Sequence, residues 1–103
     1  MDLRKETSDN TLIIHVSGRL DTITAPSLEA EIAQIPENIQ RLILDLASLE
    51  YMSSAGIRVI LSADKIMGKR NGMVLRHVND EIREILDMTG LIEFLNIEPD
   101  TQA

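Results

Sequence analysis

Leu42-Ile43-Leu44-Asp45-Leu46-Ala47-Ser48-Leu49-Glu50-Tyr51-Met52-Ser53-Ser54-Ala55-Gly56-Ile57-Arg58-Val59-Ile60-Leu61 reads as a strand, a tight turn and a helix. The nearly unbroken apolar run Leu42–Leu46 suits a strand buried on both faces, as in parallel sheets. From about Ser54 to Arg70 the apolar side chains follow a helical period, with Ile57, Ile60, Leu61 and Met67 as the core stripe. Lys69 and Arg70 suit the C-terminal end of that helix, and Gly72 its left-handed exit. The first residues of the helix are small and hydroxylated. A helix start has unpaired N–H groups and a partial positive charge, so it receives a phosphate readily. Ser54 is therefore the candidate phosphoacceptor, although from the residues alone a plain helix-capping role is favoured for both Ser53 and Ser54.

The flanks extend the same pattern. Ser8-Asp9-Asn10 is a turn signal between two extended segments. Leu12, Ile14 and Val16 alternate with Thr11, His15 and Ser17, which is the strand period, and Gly18 is expected to end that strand. Thr24 can cap a helix that tolerates Pro26 in its first turn, carries Leu28, Ile32 and Ile35 on one face, and stops at Pro36. Met73–Val78 reads as a further strand. Asn79 caps a third helix, with Asp80 and Glu81 in its first turn, Ile82, Ile85 and Leu86 facing inward, and Gly90 at its end. Phe94–Ile97 reads as a last short strand. The order β-β-α-β-α-β-α-β, with right-handed crossovers, predicts an α/β fold: a mixed sheet of four to five strands with a largely parallel centre, packed with helices.

The 103 residues are expected to form one domain, with a core large enough to fold alone. There is no cysteine, hence no disulfide, thiolate metal site or Cys nucleophile. The excess of 17 acidic over 10 basic residues gives a net charge of −7, which argues against a nucleic-acid partner. One Phe and one Tyr leave little for base stacking. Residues 1–11 lack the apolar core of a signal peptide, and no apolar run approaches the roughly 20 residues of a membrane span. A cytoplasmic protein without membrane insertion is expected.

Three segments carry a family resemblance. Val16-Ser17-Gly18-Arg19-Leu20-Asp21-Thr22-Ile23-Thr24-Ala25 is similar to a G-x-L-D-x-x-T-A/S turn. Asp45-Leu46-Ala47-Ser48-Leu49-Glu50-Tyr51-Met52-Ser53-Ser54-Ala55-Gly56-Ile57 is similar to D-L-S-x-V-x-x-M-D-S-S/T-G-L, and Met88-Thr89-Gly90-Leu91 to a T-G-L near the end of the third helix. Together they resemble the STAS domains, the family of bacterial anti-sigma factor antagonists and sulfate-transporter tails, over nearly the whole chain. The resemblance places Ser54 at the family's phosphorylated serine and Gly56 at its glycine. It places Asp21 and Thr24 in the loop that lies beside the phosphosite and contacts the kinase. Two positions depart: Ser53 stands where the pattern has Asp, which leaves it as a competing phosphoacceptor, and Ala55 where it has Ser or Thr. After Ile97 only six residues remain, shorter than the family's final helix.

The resemblance implies a switch protein, an anti-sigma factor antagonist. Its partner would be both anti-sigma factor and ATP-dependent serine kinase. Unphosphorylated antagonist would bind that partner and free a sigma factor; phosphorylated antagonist would let go, and a serine phosphatase would reset it. ATP would be bound by the partner kinase, so no cofactor is expected here. The expected docking surface comprises Asp21, Thr22, Thr24, Ser53, Ser54, Gly56 and Arg58. The alternative is a constitutive scaffold or transporter-associated STAS subunit without a switch; a small nucleotide-binding module is a third class.

Enzymatic signatures are missing. Met52-Ser53-Ser54-Ala55-Gly56 lacks the first glycine of a G-x-S-x-G elbow, and there is no P-loop or G-x-G-x-x-G. His15 and His77 fall on different strands with no spaced carboxylates, which predicts no metal site. Asp21 fits both a turn-closing and a recognition role. Asp45, ending an apolar strand, is expected to accept loop N–H groups rather than to catalyse. Glu29, Glu31 and Glu50 read as solvated surface.

Overall fold

The computed structural model describes residues 1–98. Strands β1 (Asp2–Ser8) and β2 (Thr11–Leu20) form the opening hairpin. Its two-residue turn puts Asp9 at φ 54°, a left-handed conformation that Asp adopts more readily than most residues. Helix α1 (Ala25–Ala33) leads to β3 (Arg41–Asp45) and β4 (Leu49–Met52). Helix α2 (Ser54–Met67), β5 (Met73–Arg76) and helix α3 (Asp80–Met88) follow, with a 3-10 turn at Leu91–Glu93. The sheet is mixed: β1 is antiparallel to β2, while β2–β3, β2–β4 and β3–β5 are parallel.

One apolar core lies under the sheet. β2 contributes Leu12, Ile14 and Val16, β3 Leu42 and Leu44, and β5 Met73 and Leu75; the helices add Leu28, Ile32, Ile60, Met67, Ile82 and Leu86. Leu42–Asp45 are all buried, as the apolar run predicts. Strand periodicity turns His15, Asp45 and Arg76 to the other face, where the parallel register sets them side by side.

Four differences from the sequence reading have local causes. Gly18 does not end β2. It takes φ 87° at a bulge, and β2 continues to Leu20 while exchanging β3 for β4 as its partner. The stretch before Ser54 is not a simple turn, because it contains β4. Its outer residues Leu49 and Met52 are buried and its inner pair Glu50 and Tyr51 exposed, a spacing of three that does not show the alternation of a strand. Helix α2 stops at Met67 rather than Arg70; the next turn is held by Arg70 N–H and Gly72 N–H, both donating to the Met67 carbonyl (2.9 Å each). Beyond the 3-10 turn, Phe94–Ile97 forms no strand, and Ile97 alone makes a parallel bridge to Leu75. The expected absence of a final helix concerns a tail of which residues 99–103 lie outside the described part. Among the described residues, no helix is long and apolar enough to cross a membrane.

Candidate functional site

Ser54 is the first residue of α2 and is exposed. Ser53 before it has the extended backbone of an N-cap, and its carbonyl accepts the Ile57 N–H (2.9 Å). Its hydroxyl, however, is buried and makes no hydrogen bond, so the helix start has no side-chain cap. Two contacts fix this helix start against the end of β2. Ser53 N–H donates to the Leu20 carbonyl (2.8 Å). Gly56, buried in the first turn, lies so close that a Cβ there would stand 2.7 Å from Leu20 Cγ and 2.9 Å from the Leu20 carbonyl oxygen.

Leu20 runs directly into the loop Asp21–Thr24, so loop and helix start share one edge. The loop is tied internally. Asp21 Oδ1 accepts the N–H groups of Ile23 (3.0 Å) and Thr24 (3.1 Å). Thr24 sits at the N-cap of α1, but its hydroxyl turns back into the loop, accepting the Asp21 N–H (2.9 Å) and donating to the Arg19 carbonyl (2.7 Å). Thr22 is exposed, and Ile23 is 86% exposed. Arg58, one turn beyond Ser54, is exposed, and Arg19 stacks over the Tyr51 ring (4.4 Å). The residues expected to dock a partner therefore line one edge, except that Gly56 and the Ser53 hydroxyl are buried beneath it and serve its geometry. Sequence reasoning missed Leu20 as the hub of this edge; its apolar character reads only as core.

The hydrogen bond from Thr24 N–H, followed by that from Ile23 and the nearby Arg19 charge, holds the Asp21 carboxyl below the usual carboxylate range; partial desolvation opposes this. A lowered carboxyl pKa contributes order that is present above the unfolded value of about 4 and is lost as pH falls through the lower folded value. The Ile23 and Thr24 amide signals in NMR are accordingly expected to hold their positions at about pH 4 and to move only below it. Movement already at pH 5 would contradict the loop geometry.

On the sheet face away from the core, two histidines converge on one carboxylate. Asp45 is buried and accepts the Ala47 N–H (3.0 Å), as its position predicts. His77 Nδ1 lies 3.2 and 3.1 Å from its two oxygens, and His15 Nδ1 lies 3.5 Å from Oδ2. His77 is not in a strand as the sequence suggests: β5 ends at Arg76, and His77 takes φ 56°. Among the described residues, no three His, Cys, Asp or Glu are arranged to hold a metal ion.

The sequence profile of the STAS domain matches residues 2–103. The chain belongs to the STAS domain family. The anti-sigma F factor antagonist of Paenibacillus polymyxa is 32% identical over 103 residues, covering 94% of this chain and 86% of that protein. The anti-sigma-B factor antagonist of Listeria monocytogenes is 32% identical over 97 residues, covering 91% of this STAS domain and 84% of that protein. An anti-sigma factor antagonist from Mycobacterium paratuberculosis superposes with a TM-score of 0.85 at 26% identity, covering 97% of this chain and 86% of that one. The phosphorylated form of the Bacillus cell fate determinant SpoIIAA shares the fold, with a TM-score of 0.73 at 18% identity over 96% of this chain and 93% of that one.

Proposed function

We propose that this STAS domain is an anti-sigma factor antagonist whose binding is switched by phosphorylation of Ser54. The observation that carries the reading is the exposed Ser54 hydroxyl at an uncapped helix start, beside the tied loop Asp21–Thr24. A kinase reaches that hydroxyl without opening the fold, whereas the Ser53 hydroxyl is buried. The N–H groups of the helix start favour a phosphate next to them. Two relatives above 30% identity are named as antagonists of anti-sigma factors, and SpoIIAA has been seen in a phosphorylated form.

In this reading the partner is an anti-sigma factor that is also a serine kinase. It binds ATP, and the STAS domain supplies the acceptor hydroxyl and a docking edge. The domain is not an enzyme. It acts in the cytoplasm, where the sigma factor is, and a serine phosphatase returns it to the binding form. Incubation with the cognate kinase and ATP is expected to add one phosphate to the intact mass, on Ser54, and none in Ser54→Ala. Phosphate on Ser53 would sink this reading. So would no phosphate on a protein that binds the kinase, and the constitutive scaffold reading would then replace it. That second reading draws on the Ser53 hydroxyl, which stands where the family pattern has a carboxylate and makes no cap bond.

Arg58 tests the docking edge. Arg58→Glu reverses an exposed charge one turn from Ser54, with little effect on packing. Calorimetry with the kinase is expected to find about tenfold weaker binding, or 1.4 kcal/mol, and a fold stability changed by no more than about 0.5 kcal/mol. Unaltered affinity would move the interface away from α2.

A further inference from the structure

We infer that His77 is a second phosphoryl acceptor, with its Nε2 as the nucleophile and the buried Asp45 as its orienting group. Asp45 anchors the arrangement. Its carboxylate is 7% exposed and lies within hydrogen-bond distance of His77 Nδ1 through both oxygens. A carboxylate only accepts, so the neutral ring keeps its proton on Nδ1 and its lone pair on Nε2. The His77 side chain is 57% exposed and lines an open cleft of about 550 Å³ shared with Arg4, Ser17 and Ser48. Its backbone adopts the left-handed region at φ 56°, uncommon for a residue with a Cβ. That conformation ends β5 and turns the ring onto Asp45.

His15 supplies the contrast. Its Nδ1 also faces Asp45, but its Nε2 is buried and lies 3.4 Å from Glu6 Oε2. One of the two histidines on this carboxylate therefore has an accessible nucleophilic nitrogen and the other does not. The fitting donor class is a phosphoramidate, an N–P compound; a phosphohistidine on another protein belongs to it. The Nε2 lone pair attacks phosphorus and forms a new N–P bond. The donor reacts in its protonated form, as an ammonio-phosphonate or with the proton on the other ring nitrogen of a phosphohistidine. When its N–P bond breaks, the nitrogen therefore takes the electron pair and leaves as a neutral amine or imidazole. The ring becomes an imidazolium with Nδ1–H still on Asp45, and the carboxylate offsets the charge that has developed. Arg4 and the Ser48 hydroxyl line the same cleft and offer donors for the phosphoryl oxygens, whereas the Ser17 hydroxyl is engaged with the Asp2 carbonyl (3.4 Å). The product is acid-labile and chemically distinct from a phosphate ester on Ser54.

The test uses the full chain with potassium phosphoramidate near neutral pH, followed by intact mass, peptide mapping and NMR of the phosphohistidine isomer. One phosphoryl group on Nε2 of His77 is expected, absent in His77→Gln. Asp45→Asn, which keeps the shape and removes the charge, is expected to slow its formation about tenfold, or 1.4 kcal/mol in barrier. Phosphate on His15, phosphate on Nδ1 of His77, no uptake, or an equal rate in folded Asp45→Asn would each overturn the assignment. If Asp45→Asn fails to fold, the isomer formed in the wild-type chain decides alone, since a ring held by Asp45 through Nδ1 yields only the Nε2 product.

Discussion

Replacing Ser54 by Asp is expected to weaken binding to the cognate anti-sigma factor about a hundredfold, a loss of about 2.7 kcal/mol, while the domain stays folded. Ser54 is exposed at the first position of α2, so a carboxylate or phosphate there displaces no core side chain. A phosphate brings about −1.5 to −2 charges and three acceptor oxygens. The helix start tolerates this, and the dipole contributes roughly 0.3–1 kcal/mol in its favour. The partner surface meets the same group on other terms. Shaped for a small neutral hydroxyl, it must accommodate a larger anion, strip its water, and hold it near the phosphates of its own nucleotide. The cost therefore falls on the complex and not on the fold. Ser54→Ala is expected to bind without release, keeping the sigma factor free, and Ser53→Ala to remain phosphorylatable. Titration calorimetry with the kinase and ADP measures the binding of both Ser54 variants, and intact mass after incubation with the kinase and ATP measures the phosphorylation of Ser53→Ala. A Ser54→Asp protein that binds as tightly as wild type would contradict the switch.

Gly56→Val is expected to be the most damaging single change near the site, for a steric reason. Even the first added carbon would stand 2.7 Å from Leu20 Cγ, 2.9 Å from Cδ2 and 2.9 Å from the Leu20 carbonyl oxygen. Leu20 is fully buried, so its side chain has little room to retreat, and its carbonyl is held by the Ser53 N–H at 2.8 Å. Overpacking of this kind costs about 3 kcal/mol. At roughly 4–8 °C per kcal/mol for a domain of this size, calorimetry should find Tm lower by about 12–24 °C. Gly56→Ala brings a partial offset of about 1 kcal/mol from helix propensity and should lose less. Because the clash pushes the first turn of α2 off the end of β2, any Gly56→Val protein that folds should also be a poor kinase substrate. An unchanged Tm would mean that the helix start is not held against Leu20.

The features visible in the sequence are those set by neighbours along the chain. Leu12, Ile14 and Val16 announce β2 by alternation, and the continuous apolar run announces β3 as a strand covered on both faces. Asn79 caps α3 as read, its Oδ1 accepting the Ile82 N–H (2.9 Å), because capping is a matter of one turn. Ser54 stands at the start of α2 as its neighbours imply, since the helical period begins there. The matching segments around Asp21 and Ser54 also carried the family.

Tertiary structure decided what depends on residues far apart. β4 exists because β2 runs past the end of β3 and offers its unpaired upper half to Leu49–Met52; the burial of Leu49 and Met52 comes from that partner and leaves no periodic trace in four residues. The Ser53 hydroxyl is buried instead of capping because the end of β2 presses on the helix start, a contact between positions more than thirty apart. His15, Asp45 and His77 look unrelated in the chain: the parallel register of β2 and β3 sets His15 beside Asp45, and His77 joins them from just past the end of β5, where its left-handed backbone turns the ring onto the carboxylate. Local periodicity thus determined the main elements other than β4, the serine at the head of α2 and the loop that follows β2. Strand pairing and close packing, which join residues without regard to their separation, determined how rigidly that serine is presented and which histidine shares a buried carboxylate while keeping a nitrogen free.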